Sequence, residues 1–142
     1  AEDWSALRQE AMTLLQEESG LQEIVSLVGI DALSEKDRLK LEVSKSIRED
    51  YLQQNGFHEI DTYTSLDKQY KMLKLVLLFR HEAERALDAG VYLDKVLALE
   101  VRDKIARSKY IHEDDIAKMD DIAAELRADI DTLINEGGVL NA

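Results

Sequence analysis

The sequence contains no cysteine and no proline, and glycine occurs only 6 times among 142 residues. Without cysteine the chain forms no disulfide, thiolate metal site or cysteine nucleophile, and its composition fits a reducing compartment. Without proline, helices can run uninterrupted. No segment approaches the run of about 20 apolar residues that crosses a bilayer. These absences favour an all-α fold and predict no direct membrane insertion.

Charge is the second compositional constraint. The chain carries 30 acidic and 18 basic residues, a formal net charge of -12, and 45% of its residues are hydrophobic. An acidic surface repels nucleic-acid phosphates, so we predict no nucleic-acid partner. The length suits one domain with a buried core, and we expect a single domain over residues 1–142.

Apolar periodicity predicts a bundle of several amphipathic helices. Three- and four-residue apolar steps run from Trp4 to Val28, with Glu18 as the one charged residue on the stripe. Gly20 weakens the middle of this segment, which therefore predicts either one helix or a pair. A second helix is expected over residues 34–54.

The third helix is predicted to be the centre of the bundle because it is apolar on most sides. It starts at Thr64 as a cap and ends near Gly90. Short helices are expected over residues 92–99 and 101–108. A last helix begins at the acidic residues 113–115 and is expected to break at Gly137-Gly138.

Residues 27–37, called the corner below, predict a sharp turn between the first two helices. Gly29 can adopt the positive φ that ends a helix, and Ser34 is a suitable N-cap with Asp37 three residues later. Ordinary connections in helical bundles use the same residue types. Capping alone therefore leaves a purely structural interpretation open.

The corner also carries a resemblance to a known family. Residues 31–37, Asp-Ala-Leu-Ser-Glu-Lys-Asp, are similar to the Asp-Glu-Leu-Ser-Glu-Glu-Asp loop of rotary ATP synthase catalytic subunits and depart from it at Ala32 and Lys36. Further matches follow in order at residues 21–25, 47–57, 61–63, 68–73 and 101–107. The chain resembles the C-terminal helical domain of the catalytic A subunit of the archaeal and vacuolar branch of rotary ATPases.

This resemblance implies a mechanical role in ion transport. The domain would couple ATP hydrolysis or synthesis, in a nucleotide-binding domain of the same chain, to rotation of a central stalk. The implied stalk-contact residues are Asp31, Ala32, Leu33, Ser34, Glu35, Lys36 and Asp37. Neighbouring B subunits in a hetero-hexamer and a cytoplasmic position peripheral to the membrane are also implied. With a first residue other than Met, the chain is expected to be a lever domain excised from a longer subunit.

No catalytic or metal-binding residue is predicted. The sequence has no Gly-x-x-x-x-Gly-Lys-Ser/Thr segment, so the fragment alone is expected to be inactive, and ATP or ADP with Mg belongs to the full-length parent. The histidines, His58, His81 and His112, fit no common metal-binding spacing.

Phe57 and Tyr63 lie in a polar connection after the second helix. Aromatic residues in such connections either cover a core or stack on a planar ligand. The resemblance implies the second role, as possible contacts to the adenine ring in the full subunit.

A function from another class remains compatible with composition and periodicity. The chain could be a free-standing acidic helical adaptor that binds a partner helix and has no role in nucleotide turnover. The ordered series of local matches favours the rotary-ATPase interpretation.

Overall fold

The computed structural model describes residues 3–52 and 65–140. This part of the chain contains six α-helices and no strand, which confirms the all-α prediction. The α-helices are α1 (Trp4–Val28), α2 (Glu35–Ser46), α3 (Leu66–Asp88), α4 (Leu93–Leu97), α5 (Glu100–Ala106) and α6 (Lys118–Leu140). Shorter helical segments are the 3-10 turns Ile30–Ala32, Arg107–Tyr110 and Glu113–Asp115 and the π-helical segment Ile47–Leu52.

Helix α3 is the centre of the bundle, as its apolar sequence predicts. It packs against α1, α2, α4, α5 and α6. Its buried residues are distributed around the helix: Lys68, Met72, Leu73, Leu75, Val76, Leu77, Phe79, Ala83 and Ala86. A helix that is apolar on most sides requires neighbours on most sides, and this requirement explains the arrangement of the other helices.

The N-cap of α3 is Ser65 and not Thr64. The Ser65 hydroxyl accepts a hydrogen bond from the Lys68 amide at 3.0 Å. The Ser65 amide and hydroxyl also donate to the Glu113 carboxylate at 2.8 and 2.7 Å. A distant acid therefore fixes this cap, and the spacing of residues around Thr64 could not reveal it.

Helix α1 is continuous through Gly20, so the alternative of a helix pair is wrong. Apart from the adjoining helix backbone, nothing lies within 4 Å of a Cβ built at Gly20, so this position faces open space. Glycine weakens a helix but keeps its backbone donor, so it does not force a break. The Ser44 hydroxyl donates to the Leu14 carbonyl at 3.2 Å and ties α2 to α1.

The charged residue on the apolar stripe of α1 has a partner on the neighbouring element. Glu18 is only 8% exposed, and its carboxylate accepts hydrogen bonds from Arg48 Nε at 3.0 and 3.1 Å and from Nη2 at 2.7 Å. This bidentate geometry is typical of strong carboxylate–guanidinium pairs. Arg48 therefore makes burial of an acid tolerable at this position.

The second helix, predicted over residues 34–54, is a regular α-helix only as far as Ser46. Helix α2 ends at Ser46, the chain continues as the π-helical segment, and residues 53–54 lie outside the described part. Lys109 Nζ donates to the Glu49 carbonyl in that segment at 3.3 Å. This donor comes from a distant part of the chain, so the sequence around Glu49 does not reveal it.

The end of the chain also differs from expectation. Residues 113–115 form a 3-10 turn, and α6 starts at Lys118. Gly137 does not break α6, which continues to Leu140. A Cβ added at Gly137 would lie 3.8 Å from Val91 Cγ2, so the helix backbone passes close to the α3–α4 turn. Packing of this kind outweighs the intrinsic cost of glycine, about 1 kcal/mol.

Replacing Arg48 with alanine should destabilise the domain by about 1–3 kcal/mol, because Glu18 would remain buried without its partner. Urea unfolding followed by far-UV circular dichroism measures this change. Arg107→Ala is the matched control, since the Arg107–Asp103 pair at 3.2 Å has side chains 74% and 67% exposed. Its loss should cost about 0.5 kcal/mol or less. Equal effects of the two substitutions would contradict this account of Glu18.

Candidate functional site

The corner is built by local signals that the sequence displays. Gly29 has φ 95°, and its amide donates to the Val25 carbonyl at 2.9 Å, which ends α1. The Ser34 hydroxyl accepts from the Asp37 amide at 3.1 Å and starts α2. Both predictions are confirmed. The 3-10 turn Ile30–Ala32 between them was not anticipated.

The corner is anchored to the bundle by Leu33 and Glu35. Leu33 is 8% exposed, so its side chain packs inward. The Glu35 carboxylate accepts a hydrogen bond from the Leu93 amide at 2.5 Å, at the start of α4. The amides in a first helical turn lack partners within the helix, so a carboxylate is favourable there. Glu35 thus joins the first turn of α2 to the start of α4.

Two ion pairs also join α2 to the end of α3 and to α4. Lys36 Nζ lies 2.8 Å from Asp88 Oδ1, and Arg38 Nη2 lies 3.4 Å from Asp94 Oδ1. The hydrogen bond and charge of Asp88 raise the pKa of Lys36. The Lys36 and Asp88 side chains are 57% and 63% exposed, so solvent screening leaves this pair little effect on stability. These pairs help to orient α2 relative to α3 and α4, and they add little to the free energy of unfolding.

The seven predicted stalk-contact residues of the corner, 31–37, therefore divide by environment. Asp31, Ala32, Ser34 and Lys36 are exposed, Glu35 and Asp37 are half-buried, and Leu33 is buried. Asp31 and Ala32 lie in the 3-10 turn and are accessible to another protein. The buried and half-buried residues hold the turn in place.

An exposed apolar surface directly precedes these residues. We call it the apolar tip: Ile24 (41% exposed), Leu27 (76%), Val28 (68%) and Ile30 (42%). These are four of the eight large apolar side chains that are exposed in the described part of the chain. Ile24, Leu27 and Val28 share one face of α1 by helical spacing, and exposed apolar faces of this kind mark interaction sites.

The apolar tip is not predicted by the sequence pattern. Helical spacing places Val28 on the apolar stripe of α1 and predicts that it packs inward, but it is 68% exposed. None of residues 19–28 is buried. Periodicity reports which side chains share a face of a helix, and it does not report how far the neighbouring helices extend along that face.

Comparison with known proteins gives the family. Residues 1–97 match the model of the C-terminal domain of V and A type ATP synthase. The chain belongs to this family. A V-type ATP synthase alpha chain of Clostridium perfringens (strain SM101 / Type A) is 76% identical over all 142 residues. A V-type ATP synthase alpha chain of Clostridium botulinum (strain Eklund 17B / Type B) is 74% identical over 143 aligned residues.

The chain spans about a quarter of the length of these relatives, 24% in both cases, and is covered completely by each of them. The family match includes the corner, the apolar tip and α3, and the two relatives extend the similarity through α6. Membership of this family is what the ordered local matches in the sequence predicted.

The predicted adenine contacts, Phe57 and Tyr63, lie outside the described residues. The described residue that follows them is firmly held, because Ser65 donates two hydrogen bonds to Glu113. The bond from the Ser65 amide is the main reason that the pKa of Glu113 is lowered. Lys68, buried one turn further on, donates through Nζ to the Lys109 carbonyl at 2.9 Å.

A cleft of about 370 Å³ lies between the π-helical segment and α5, and two of its charged side chains, Asp50 and Arg102, are paired with residues outside its lining. Arg102 pairs with Glu42, and Lys109 lies 3.5 Å from Asp50. Burial raises the pKa of Asp50, and Lys109 opposes that shift. Two charged side chains of this cleft are therefore already engaged in ion pairs.

The described residues also bear on metal binding and on membrane insertion. No group of three or more histidine, cysteine, aspartate or glutamate side chains there could hold a metal ion. None of the helices there combines the length and apolar character needed to span a bilayer.

Glu113→Gln should change the acid dependence of stability. The folded-state pKa of Glu113 lies below its ordinary value, 4.5, so its charge stabilises the fold above that value and loses this effect as pH falls through the folded-state pKa. At neutral pH the wild type should be the more stable protein, and the difference should shrink below about pH 4.5. Urea unfolding across this range measures it, with exposed Glu136→Gln as the control. A difference that stays constant with pH would contradict the assignment.

Proposed function

We propose that residues 1–142 form the lever domain of a V-type ATP synthase alpha chain and couple nucleotide turnover to rotation of a central stalk. In this proposal the corner and the apolar tip contact the stalk. The observation that carries it is the exposure of four apolar side chains beside a turn that Leu33 and Glu35 anchor to the bundle. An exposed apolar surface on an anchored turn can transmit displacement, because the turn moves with the bundle.

The contact is proposed to be mainly apolar and steric. Ala32 and Lys36 replace two acids of the similar loop in rotary ATP synthase catalytic subunits, and Lys36 is paired with Asp88 at 2.8 Å. The remaining exposed acid of the 3-10 turn, Asp31, gives a limited charge. Burial of the apolar tip would contribute through the hydrophobic effect, at about 25 cal/mol per Å² of apolar surface.

The rest of the longer subunit would supply the chemistry. Its nucleotide-binding domain would hold ATP or ADP with Mg, and B subunits would adjoin it in a hetero-hexamer at the cytoplasmic side of the membrane. If the stalk favours one orientation of the lever domain, and that orientation binds nucleotide more tightly, then the stalk raises the affinity for nucleotide. By the same coupling, nucleotide binding favours the stalk position that fits this orientation. Family membership disfavours the free-standing adaptor.

The double substitution Leu27→Asp with Val28→Asp, made in the complete complex, should lower rotation and ion transport per ATP hydrolysed severalfold. Both side chains are exposed in the domain, so charge placed there should disturb the stalk contact more than the fold. Single-molecule rotation, together with ATP hydrolysis and ion transport in vesicles, measures the coupling.

Met12→Asp is the control for this experiment, because Met12 is 55% exposed on α1 outside the apolar tip. Lys36→Glu should also have little effect if the contact is apolar. Unchanged coupling in the Leu27 and Val28 variant, or a large loss from Lys36→Glu alone, would refute the proposed contact.

Phe57→Ala should raise the KM for ATP of the complete enzyme by about tenfold, since stacking on an aromatic ring contributes about 1–3 kcal/mol per base. Tyr63→Ala, which removes the second proposed contact, should act in the same direction. Steady-state kinetics with ATP measures both. An unchanged KM in the Phe57 variant would remove this residue from the nucleotide site.

A further inference from the structure

A second apolar site, with half-buried Trp4 of α1 and exposed Leu66 of α3, lies at the opposite end of α1. Helix α1 has 25 residues and is therefore about 37 Å long, with the apolar tip at one end and Trp4 at the other. Trp4, Leu66, Asp67 and Tyr70 line a cleft of about 380 Å³. Leu66, at the start of α3, is 77% exposed, which is the highest exposure among the large apolar side chains of the described part.

The walls of this cleft are held in place. The rings of Trp4 and Tyr70 meet edge to face, with centroids 6.0 Å apart. The Tyr70 hydroxyl donates to Asp3 Oδ1 at 2.6 Å and accepts from Lys74 Nζ at 3.1 Å. The bond from Tyr70 also lowers the pKa of Asp3. This network fixes the first turn of α1 to α3, so the cleft exists before anything occupies it.

The position of the cleft in the chain indicates its occupant. About three quarters of the length of each relative lies outside the matched region, and this chain belongs to a family of C-terminal domains. Any polypeptide that precedes Ala1 enters the domain beside Trp4. The point of chain entry and the cleft are thus at the same end of the domain.

We propose that this cleft is the docking site of the segment that precedes Ala1 in the full-length subunit. An apolar side chain of that segment lies between Trp4 and Leu66. The inference rests on the proposed function in one respect, that the domain is part of a longer catalytic chain. The network of Asp3, Tyr70 and Lys74 joins α1 to α3. Movement of the docked segment therefore moves both helices together.

Thiol labelling of the full-length subunit tests this proposal. Leu66→Cys and Met12→Cys are each treated with a maleimide, alone and in the assembled complex, and the labelled peptide is quantified by mass spectrometry. Each rate is divided by the rate in denaturant. In the domain alone Leu66 is 77% exposed and Met12 is 55% exposed. A thiol at a helix N-terminus also has a lowered pKa, which favours reaction at position 66.

We expect labelling at position 66 to be at least about tenfold slower than at position 12 in the isolated full-length subunit, because the docked segment excludes the reagent. Equal or faster labelling at position 66 would overturn the proposal. Protection seen only in the complex would assign the cleft to another subunit. Protection that disappears on dilution of the isolated subunit would assign it to a second copy. Labelling measures thiol accessibility and requires no ATP turnover. Its result therefore does not depend on whether the stalk-contact experiment succeeds or fails.

Discussion

The enclosure of α3 is the constraint on which the rest of the structure depends. A helix with buried residues on most of its surface cannot be stable until other helices surround it. Lys68 is fully buried within that enclosure and donates to the Lys109 carbonyl at 2.9 Å. The last part of α1 lies outside this enclosure, because its buried residues end at Glu18 and none of residues 19–28 is buried.

Local signals in the sequence were sufficient for the two helix termini of the corner, and long-range contacts decided much of what those signals missed. Gly29 and Ser34 act through their own backbone conformation and hydrogen bonding, so their roles can be predicted from residue type. In the π-helical segment the Glu49 carbonyl accepts a hydrogen bond from Lys109 Nζ. Lys109 is more than fifty residues away in the chain, so the neighbours of Glu49 do not reveal this contact. The continuation of α6 through Gly137 likewise depends on its position beside Val91.

Exposure was the least predictable property of the candidate site. The sequence identifies Val28 as apolar and places it on a helical stripe, but only the arrangement of neighbouring helices shows that nothing covers it. Glu18 is the converse case, because an acid on an apolar stripe gives no indication of whether it is buried until Arg48 is found opposite. Composition and periodicity thus predicted the bundle well, and they predicted its accessible surface poorly.

The hydrogen bond between Glu35 and Leu93 has a consequence for how the corner can vary among related sequences. Its acceptor is a side chain, but its donor is a main-chain amide, which every amino acid except proline provides. Substitution at position 93 can alter packing without removing the donor, whereas substitution at position 35 removes the acceptor directly. Natural variation should therefore be unequal on the two sides of this contact, with the glutamate under the stricter chemical requirement.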